Sequence, residues 1–338
     1  MSFWNKLPKP FFVMAPMKDV TDAAFRALVA SRGKPDVFWT EFVSADGLYH
    51  TREIKKMNDA ENPLLRDLQF SPAERPIVAQ IFSSKPEMVA YAAKLVEELG
   101  FDGVDINMGC PDRTVEKQGA GAALLKNPRL AVELIRAAQG ASKLPVSVKT
   151  RVGYNKEALE EWLTALLEAD PAAITLHLRT RKELSLASAN WELMKRAVEI
   201  RNRVNPHVLL IGNGDVESIE QGRRLAEETG CDGIMIGRGM FGNPWVFADL
   251  CIPGLHKSCA NQVCTIERTL EEKLAALVEL AHGFEAIVPQ KNFSLLKKHI
   301  KAFVTGFDGA AELRARLMQA ENAHEIESIV LDTARMRG

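Results

Sequence analysis

Short apolar runs recur through the first two-thirds of the chain, with longer stretches of helical periodicity between them. The runs are 11–15, 37–41, 77–82, 103–107, 146–149, 173–177, 208–212 and 233–237. Each is continuous or nearly so rather than alternating, as expected of strands in a buried parallel sheet. The amphipathic stretches 86–99, 128–139, 156–168 and 216–229 predict helices. Gly100 and Gly230 follow two of them, where a left-handed residue commonly ends a helix. Eight strands alternating with helices over about 240 residues predict a (β/α)8 TIM barrel; a doubly wound sheet normally has fewer strands. The connection 51–75, rich in arginine, acid and proline, is expected as a partly helical excursion above the barrel mouth. After Pro253-Gly254 come helical patterns and no strand run. The expected division is a catalytic barrel over 1–252 and a small all-helical domain over 253–338.

Composition narrows the class. Apolar residues make up 46% of the chain and mean hydropathy is −0.10, ordinary for a soluble globular protein. No apolar run approaches the roughly 18 residues of a membrane span. Residues 1–6 lack the apolar core of a secretion signal, so a cytoplasmic location is expected. Net charge is −1, so any nucleic-acid surface must come from local asymmetry. The five cysteines, at 110, 231, 251, 259 and 264, are odd in number and form no CxxC pair, which favours reduced thiols. Cys251, His256, Cys259 and Cys264 match no common zinc spacing, and no metal is expected.

The candidate chemistry lies at the strand ends. The stretch from Gly103 to Pro111 begins as a strand and stops at Asn107-Met108-Gly109-Cys110-Pro111. Pro111 cannot donate to a ladder and pushes Cys110 toward extended geometry, so Cys110 is expected in a tight loop where barrels bind ligands. A thiol there can act as nucleophile, metal ligand or proton donor, or can simply fill space. The other ends read Pro16-Met17-Lys18, Glu41, Gln80, Lys149, His177, Asn213-Gly214-Asp215 and Gly237-Arg238-Gly239. A purely structural barrel has no need of Lys and His just beyond buried strands, where desolvation costs them. The last two clusters follow strands seven and eight, whose loops hold phosphate in many barrels. Glycines there let backbone N–H groups approach an anion, and Arg238 can add a bidentate contact; the plain alternative is two tight turns. Lys149 suits an anion on a reduced flavin ring, with Gln80 at the ring's polar edge. Its alternatives are a Schiff base or an ion pair with Glu41. No GxGxxG motif opens a helix, so no dinucleotide module is implied.

Positive charge concentrates late in the chain. Over 289–316, six basic residues (Lys291, Lys297, Lys298, Lys301, Arg314, Arg316) stand against Asp308 and Glu312, a net of +4. Lys297, Lys298 and Lys301 can share one helix face. Arg179, Arg181 and Lys182 would extend this stripe toward the cup; the plain alternative is a solvated face.

At these residues the sequence resembles the dihydrouridine synthase family, flavin enzymes that act on tRNA. The resemblance runs from about Val13 to Phe247 and again from Lys297 to Leu317. It is carried by Met14-Ala15-Pro16-Met17 with Val20-Thr21-Asp22 and Phe25-Arg26, and by Asn107 to Pro111 with Val115 and Gly119-Ala120-Gly121-Ala122. Val148-Lys149-Thr150-Arg151-Val152-Gly153, His177 with Arg179-Thr180, Asn213-Gly214-Asp215 and Gly237-Arg238 complete it. Many members continue with a Tyr-x-Gly-x-Ala-Asp-Trp run; here Leu184 to Trp191 keeps only the Ala and the Trp. The resemblance implies an FMN-bearing barrel with a helical RNA-binding tail, NADPH or NADH as reductant, and a tRNA substrate. It implies FMN held by Pro16, Met17, Gln80, Lys149, Asn213, Gly214, Asp215, Gly237 and Arg238, with Lys18 beside them. His177 would lie against the flavin phosphate or the base, Asn107 would face the uracil, and Cys110 would protonate C5. Arg179, Lys297, Lys298 and Lys301 would meet the RNA. One monomer per RNA is expected. Ribosomal RNA as substrate, and a flavin barrel reducing a small pyrimidine or enone, stay as alternatives.

Overall fold

The computed structural model describes residues 2–248 and 268–337, with side chains to 335. Nine parallel strands form one sheet: β1 (Phe11–Met14), β2 (Phe38–Trp39), β3 (Val43–Ser44), β4 (Ile77–Phe82), β5 (Gly103–Met108), β6 (Val146–Arg151), β7 (Ala173–His177), β8 (Leu209–Asn213) and β9 (Gly233–Ile236). Their order is β1-β9-β8-β7-β6-β5-β4-β2, with β3 also on β4. A parallel bridge between Val13 and Val37 returns the sheet to β1, with the Met14 N–H on the Val37 carbonyl at 3.1 Å. The barrel is therefore closed, as the eight runs predict.

One predicted strand is split. Residues 37–41 pair with β4 only through Trp39, and pairing resumes at Val43. Between them the Thr40 hydroxyl accepts the Gln80 N–H at 3.1 Å. Glu41 leaves the ladder because its carboxylate is taken by the Asp19 N–H and by Lys291.

Strand side chains alternate between two destinations. Phe11, Val13, Trp39, Val78, Ala173, Ile211 and Met235 fill the barrel interior, and Trp4 from the N-terminal turn closes its base. Their neighbours Phe12, Met14, Ala79, Val104, Ile106, Val148, Ile174 and Ile234 face outward into a larger core beneath the helices. Those helices include Pro86–Glu98 and Pro128–Ala141, each with proline in its first turn, where the missing N–H costs nothing. Gly100 (φ 81°) and Gly230 (φ 72°) are left-handed, as their positions predict.

The excursion 51–75 is partly helical. It leaves β3 at the top, where its Asp67 meets Lys18 of the loop after β1 and Lys291, and it then delivers β4 at the bottom by passing down the outer wall. There the fully buried Arg26, on the helix Ala23–Arg32, donates to Glu74 at 2.5 Å and to the carbonyls of Thr21 and Gln69.

The C-terminal region is all helix among the described residues: Leu270–Glu285, Lys297–Phe303, Ala310–Leu317 and Ala323–Arg337. Leu274, Leu277 and Phe284 share one continuous core with Ala24, Phe25 and Leu28 of the barrel. The expected boundary at 252/253 lies outside the described residues, as do Cys251, His256, Cys259 and Cys264. Lys291 fastens the helical region to the barrel. Its side chain is 2% exposed and its ammonium donates to Glu41 (0% exposed), with Asp67 at 3.3 Å. Asp67 also takes Lys18 at 2.6 Å. Lys291 is thus an internal counter-ion, which corrects its place in the basic stripe. Removing one partner of a buried pair strands the other charge. Lys291→Met is expected to destabilise the protein by about 3–5 kcal/mol, read as a lowered midpoint in urea unfolding. A shift worth less than 1 kcal/mol, by the same linear extrapolation, would show that the carboxylates find other partners.

Candidate active site

A cleft of about 810 Å³ opens at the carboxyl ends of β1 and β6–β9. Pro16, Met17, Lys149, His177, Arg179, Asn213, Gly214, Asp215, Gly237 and Arg238 line it, together with residues 185–188. Parity puts these groups there. Asn107 pairs in register with Lys149, Arg151 with His177, and His177 with Asn213, so the inward row turns polar at the last strand residues. On β4, β7 and β8 the inward row begins with Val78, Ala173 and Leu209 and ends with Gln80, His177 and Asn213.

The loops after β8 and β9 touch. A Cβ on Gly239 would lie 2.8 Å from the Val216 carbonyl oxygen and 2.9 Å from the Glu217 Cα. Gly214 sits at φ 133°, and its missing Cβ would meet Ala189 at 2.6 Å. Only glycine allows this approach, and it brings the two backbones within reach of a single anion. Behind them is an ion cluster. Arg179, 2% exposed at its side chain, donates to Asp215, to the Ala187 carbonyl at 2.6 Å and to His177 Nε2 at 3.1 Å. Arg238, more than half exposed, donates to the other oxygen of Asp215. Burial raises the Asp215 pKa, but the Arg179 hydrogen bond and the charges of both arginines outweigh it and hold the carboxyl below its usual range. Burial, then the charges of Lys149, Arg151, Arg179 and Arg238, push His177 far down, so it is neutral. Since Arg179 donates to Nε2, the ring proton is on Nδ1.

The Lys149 ammonium makes no hydrogen bond or ion pair with any described residue, though the charge of Asp105 acts on it. Glu41 is taken by Lys291, which removes the ion-pair alternative. Burial, helped by the charge of Arg151, lowers the ammonium to about 8. A desolvated cation without a partner in a cleft is a ready anion site. Arg151 holds the architecture together. Its guanidinium reaches the Gly109 carbonyl at 2.9 Å and the carbonyls of Thr180 and Leu184 at 3.1 and 3.0 Å, joining the loops after β5 and β7.

Cys110, Asn107 and Gln80 form the adjoining floor on the β4–β5 side and lie outside the residues lining the cleft itself. The Asn107 side-chain oxygen accepts the Cys110 N–H at 2.9 Å, and the half-buried thiol packs beside Phe82, Val115 and Ala120. Burial pushes its pKa up, outweighing the Asp112 backbone N–H and the charges of Lys149 and Arg151, which favour the thiolate. The thiol is therefore protonated at neutral pH.

The remaining predicted residues are elsewhere. Lys18 turns away to Asp67. Arg179 is buried in the cleft wall and is not part of an exposed stripe, and Arg181 is paired with Glu116. Arg314 donates to the Val304 carbonyl at 2.7 Å. Lys182, Lys298, Lys301 and Arg316 are exposed, with Lys297 half-buried and Arg316 3.7 Å from Asp332. The helix of Lys297, Lys298 and Lys301 is seated by the buried His299, whose ring lies 4.7 Å from Phe25 and 6.2 Å from Phe241, a residue of the cleft. Lys298 bonds Asp19, just beyond Met17, at 3.2 Å. The lysines thus flank the rim. Asp105 carries weight that motif reading overlooks, and Arg151 and Trp191, which the motifs contain, have roles the motifs did not assign. Trp191 donates to the Gly214 carbonyl at 3.0 Å. Strand parity is the signal that would have found Asp105 and Arg151. Among the described residues no cluster of three metal-ligating side chains occurs, and no helix is long and apolar enough to cross a membrane.

A closed parallel barrel with a cationic, glycine-walled cleft at its carboxyl face and a thiol loop beside it defines a protein of the (β/α)8 class. Residues 13–336 match the family described as dihydrouridine synthase (Dus), and the chain belongs to that family, whose members are oxidoreductases. "Probable tRNA-dihydrouridine synthase 2" of Bacillus subtilis (strain 168) is 41% identical over 335 residues, covering 99% of this chain and 97% of its own. "Probable tRNA-dihydrouridine synthase" of Staphylococcus aureus (strain MRSA252) is 38% identical over 330 residues, covering 97% and 94%. Among solved structures, 2-naphthoyl-CoA reductase matches with TM-score 0.54 and 10% identity over 71% of this chain and 49% of that one. Histamine dehydrogenase from Rhizobium sp. 4-9 matches with TM-score 0.51 and 15% identity over 71% and 45%. The chain spans less than half the length of these two, and the likeness is one of fold.

The thiol's environment can be probed directly. Iodoacetamide alkylation of Cys110, followed by peptide-resolved mass spectrometry, is expected to be slower at pH 7.5 than for the same peptide in denaturant. Its pH profile should inflect above that of free cysteine, because the neutral thiol is favoured by burial. An inflection below it would mark a thiolate, and a nucleophile instead of an acid.

Proposed function

We propose that this protein is an FMN-dependent tRNA-dihydrouridine synthase that reduces the C5=C6 bond of a loop uridine. The observation that carries this reading is Lys149, a desolvated cation with no protein partner, between a glycine-walled anion cradle and a protonated thiol. The family membership and the names of the relatives agree with it.

The residues fit FMN. Gly214, Gly237, Gly239 and Arg238 would hold its phosphate, and Pro16 and Met17 would form the wall beneath its ring. Lys149 would sit at the ring's anionic edge, and Gln80 and Asn107 on the adjoining floor. FMN, when bound, supplies the two-electron reduction, recharged by NADPH or NADH. The chain's own residues do the rest. Lys149 holds negative charge at the cofactor edge. His177, kept neutral, offers its Nδ1 proton without adding a further charge. Cys110 keeps its proton at pH 7 and would deliver it to C5 of the uracil. The uracil must leave its stack to reach this cup. Extrusion costs a few kcal/mol, least for an unpaired base, which favours a loop target.

A barrel acting on a small pyrimidine or enone would need no cationic helix at the rim. The position of Lys297, Lys298 and Lys301 beside Asp19 and Phe241 therefore favours RNA.

Cys110→Ala is expected to bind FMN with unchanged affinity while losing at least about 10²-fold in turnover, the usual contribution of a general acid. Full turnover by the variant would remove the thiol from the reaction. Mapping dihydrouridine in tRNA and ribosomal RNA from cells with and without the gene identifies the substrate. Replacing Lys298 and Lys301 together by Gln should weaken tRNA binding and reduce the slope of log K against log salt by about one per lysine. An unchanged slope would exclude these lysines from the interface.

A further inference from the structure

A chain of hydrogen bonds runs from the barrel interior to the thiol loop, and it begins at a carboxylate no role has been given to. Asp105 is fully buried on β5. Its Oδ1 accepts the Ser147 hydroxyl at 2.6 Å and its Oδ2 accepts Gln80 Nε2 at 2.7 Å. Gln80 Oε1 accepts Asn107 Nδ2 at 3.1 Å. Asn107 Oδ1 accepts two backbone N–H groups, Gly109 at 3.1 Å and Cys110 at 2.9 Å.

The donor and acceptor types leave this chain one direction. Backbone N–H groups only donate, so the Asn107 oxygen must face them and its NH2 must face Gln80. Gln80 must then present its oxygen to Asn107 and its NH2 to Asp105. An ionised carboxylate only accepts, so Asp105 agrees with both amides. Reversing either amide would set two donors or two acceptors against each other in a site without solvent, at the cost of unmade buried hydrogen bonds.

We infer that Asp105 is a positioning residue for the thiol: as the terminal acceptor, it locks the Gln80 and Asn107 amides in the orientation that caps the Cys110 loop. It touches no reacting atom and acts through two side chains. The inference rests on the reading of Cys110 as the acid, but the state of the loop can be measured without turnover.

The acceptor, not the charge, is the required element. Asp105→Asn keeps an oxygen for Gln80, and the rotatable Ser147 hydroxyl can accept from its new NH2. Asp105→Ala keeps neither. Gln80→Met breaks the same chain one link later and serves if Asp105→Ala fails to fold. Three readouts apply: kcat and KM on tRNA, the alkylation rate of Cys110 at fixed pH by peptide-resolved mass spectrometry, and a cycle with Asn107→Ala. Asp105→Ala is expected to lower kcat about 10²-fold, the scale of a misplaced catalytic group, with KM within twofold. It should also change the Cys110 alkylation rate at least threefold, by loosening the loop. Asp105→Asn should restore both to within threefold of wild type. In the Asn107→Ala background, Asp105→Ala should add little, because a chain cut at one link does not lose it again at another.

Additive effects in that cycle, or an Asp105→Ala protein with wild-type alkylation and kcat, would overturn the inference. So would an Asp105→Asn protein as impaired as Asp105→Ala, which would show that the charge is what counts. If wild-type protein reduces no uridine while the alkylation cycle behaves as described, the proposed function fails and the positioning role stands.

Discussion

A β-strand repeats every two residues, and in a closed barrel that repeat has two destinations, the interior and the helical layer. Everything at the mouth of this protein follows from the sharing-out. Val13, Trp39, Val78 and Ile211 stop the interior with hydrocarbon, and Trp4 seals its base. The next inward positions, Gln80, Asn107, Lys149, His177 and Asn213, have nowhere to go but the cup. A shift of one residue in any strand would send its cation or amide into the apolar layer under the helices, where desolvation costs several kcal/mol. The same packing that stabilises the barrel thus fixes the register of the site.

The electrostatics follow from that placement. Lys149, Arg151, Arg179 and Arg238 converge on one volume, and together with burial they keep His177 neutral. The chain tolerates the crowding by giving each arginine fixed acceptors. Arg151 has three carbonyls, and Arg179 and Arg238 share Asp215. Lys149 is left without one. The carboxylate whose charge reaches it is Asp105 on β5, which is committed to Ser147 and Gln80, while Glu41 is paired with Lys291.

Much of this was legible in the sequence. Eight apolar runs at regular spacing fix a barrel, and the polar residues ending them fix the cup, because both signals are local and periodic. The observed β4 and β7 coincide with their predicted runs, and the glycines at 100 and 230 end helices as expected. What failed to show were facts of long-range pairing. Lys291 sits in a basic stretch and reads as a surface charge; only the fold brings it to Glu41, 250 positions away. Arg179 reads as exposed in a run with Arg181 and Lys182, yet strand β7 directs it inward. The excursion 51–75 reads as a partly helical connection, while its route from the mouth down the wall is set by where β3 ends and β4 begins. Asp105 was hidden by its neighbours: in Val104-Asp105-Ile106 it looks like an interruption of a strand, and parity alone shows that it faces the interior.

The helical region belongs to the same construction. Its first helix shares the barrel's outer core, and Lys291 and Lys298 reach Glu41, Asp67 and Asp19 around the loop after β1. His299 stacks between Phe25 and Phe241, tying the lysine helix to the loop after β9 as well. Two of the loops that wall the cleft are thus held from outside by one short helix, and the exposed faces of Lys298 and Lys301 are rigidly referred to the cup. A polyanion bound along that helix would meet the mouth at a distance fixed by packed side chains. That geometry is what a base delivered from a large folded substrate requires: the phosphate contacts set the register, and the depth of the cup decides which nucleotide is long enough to reach the floor.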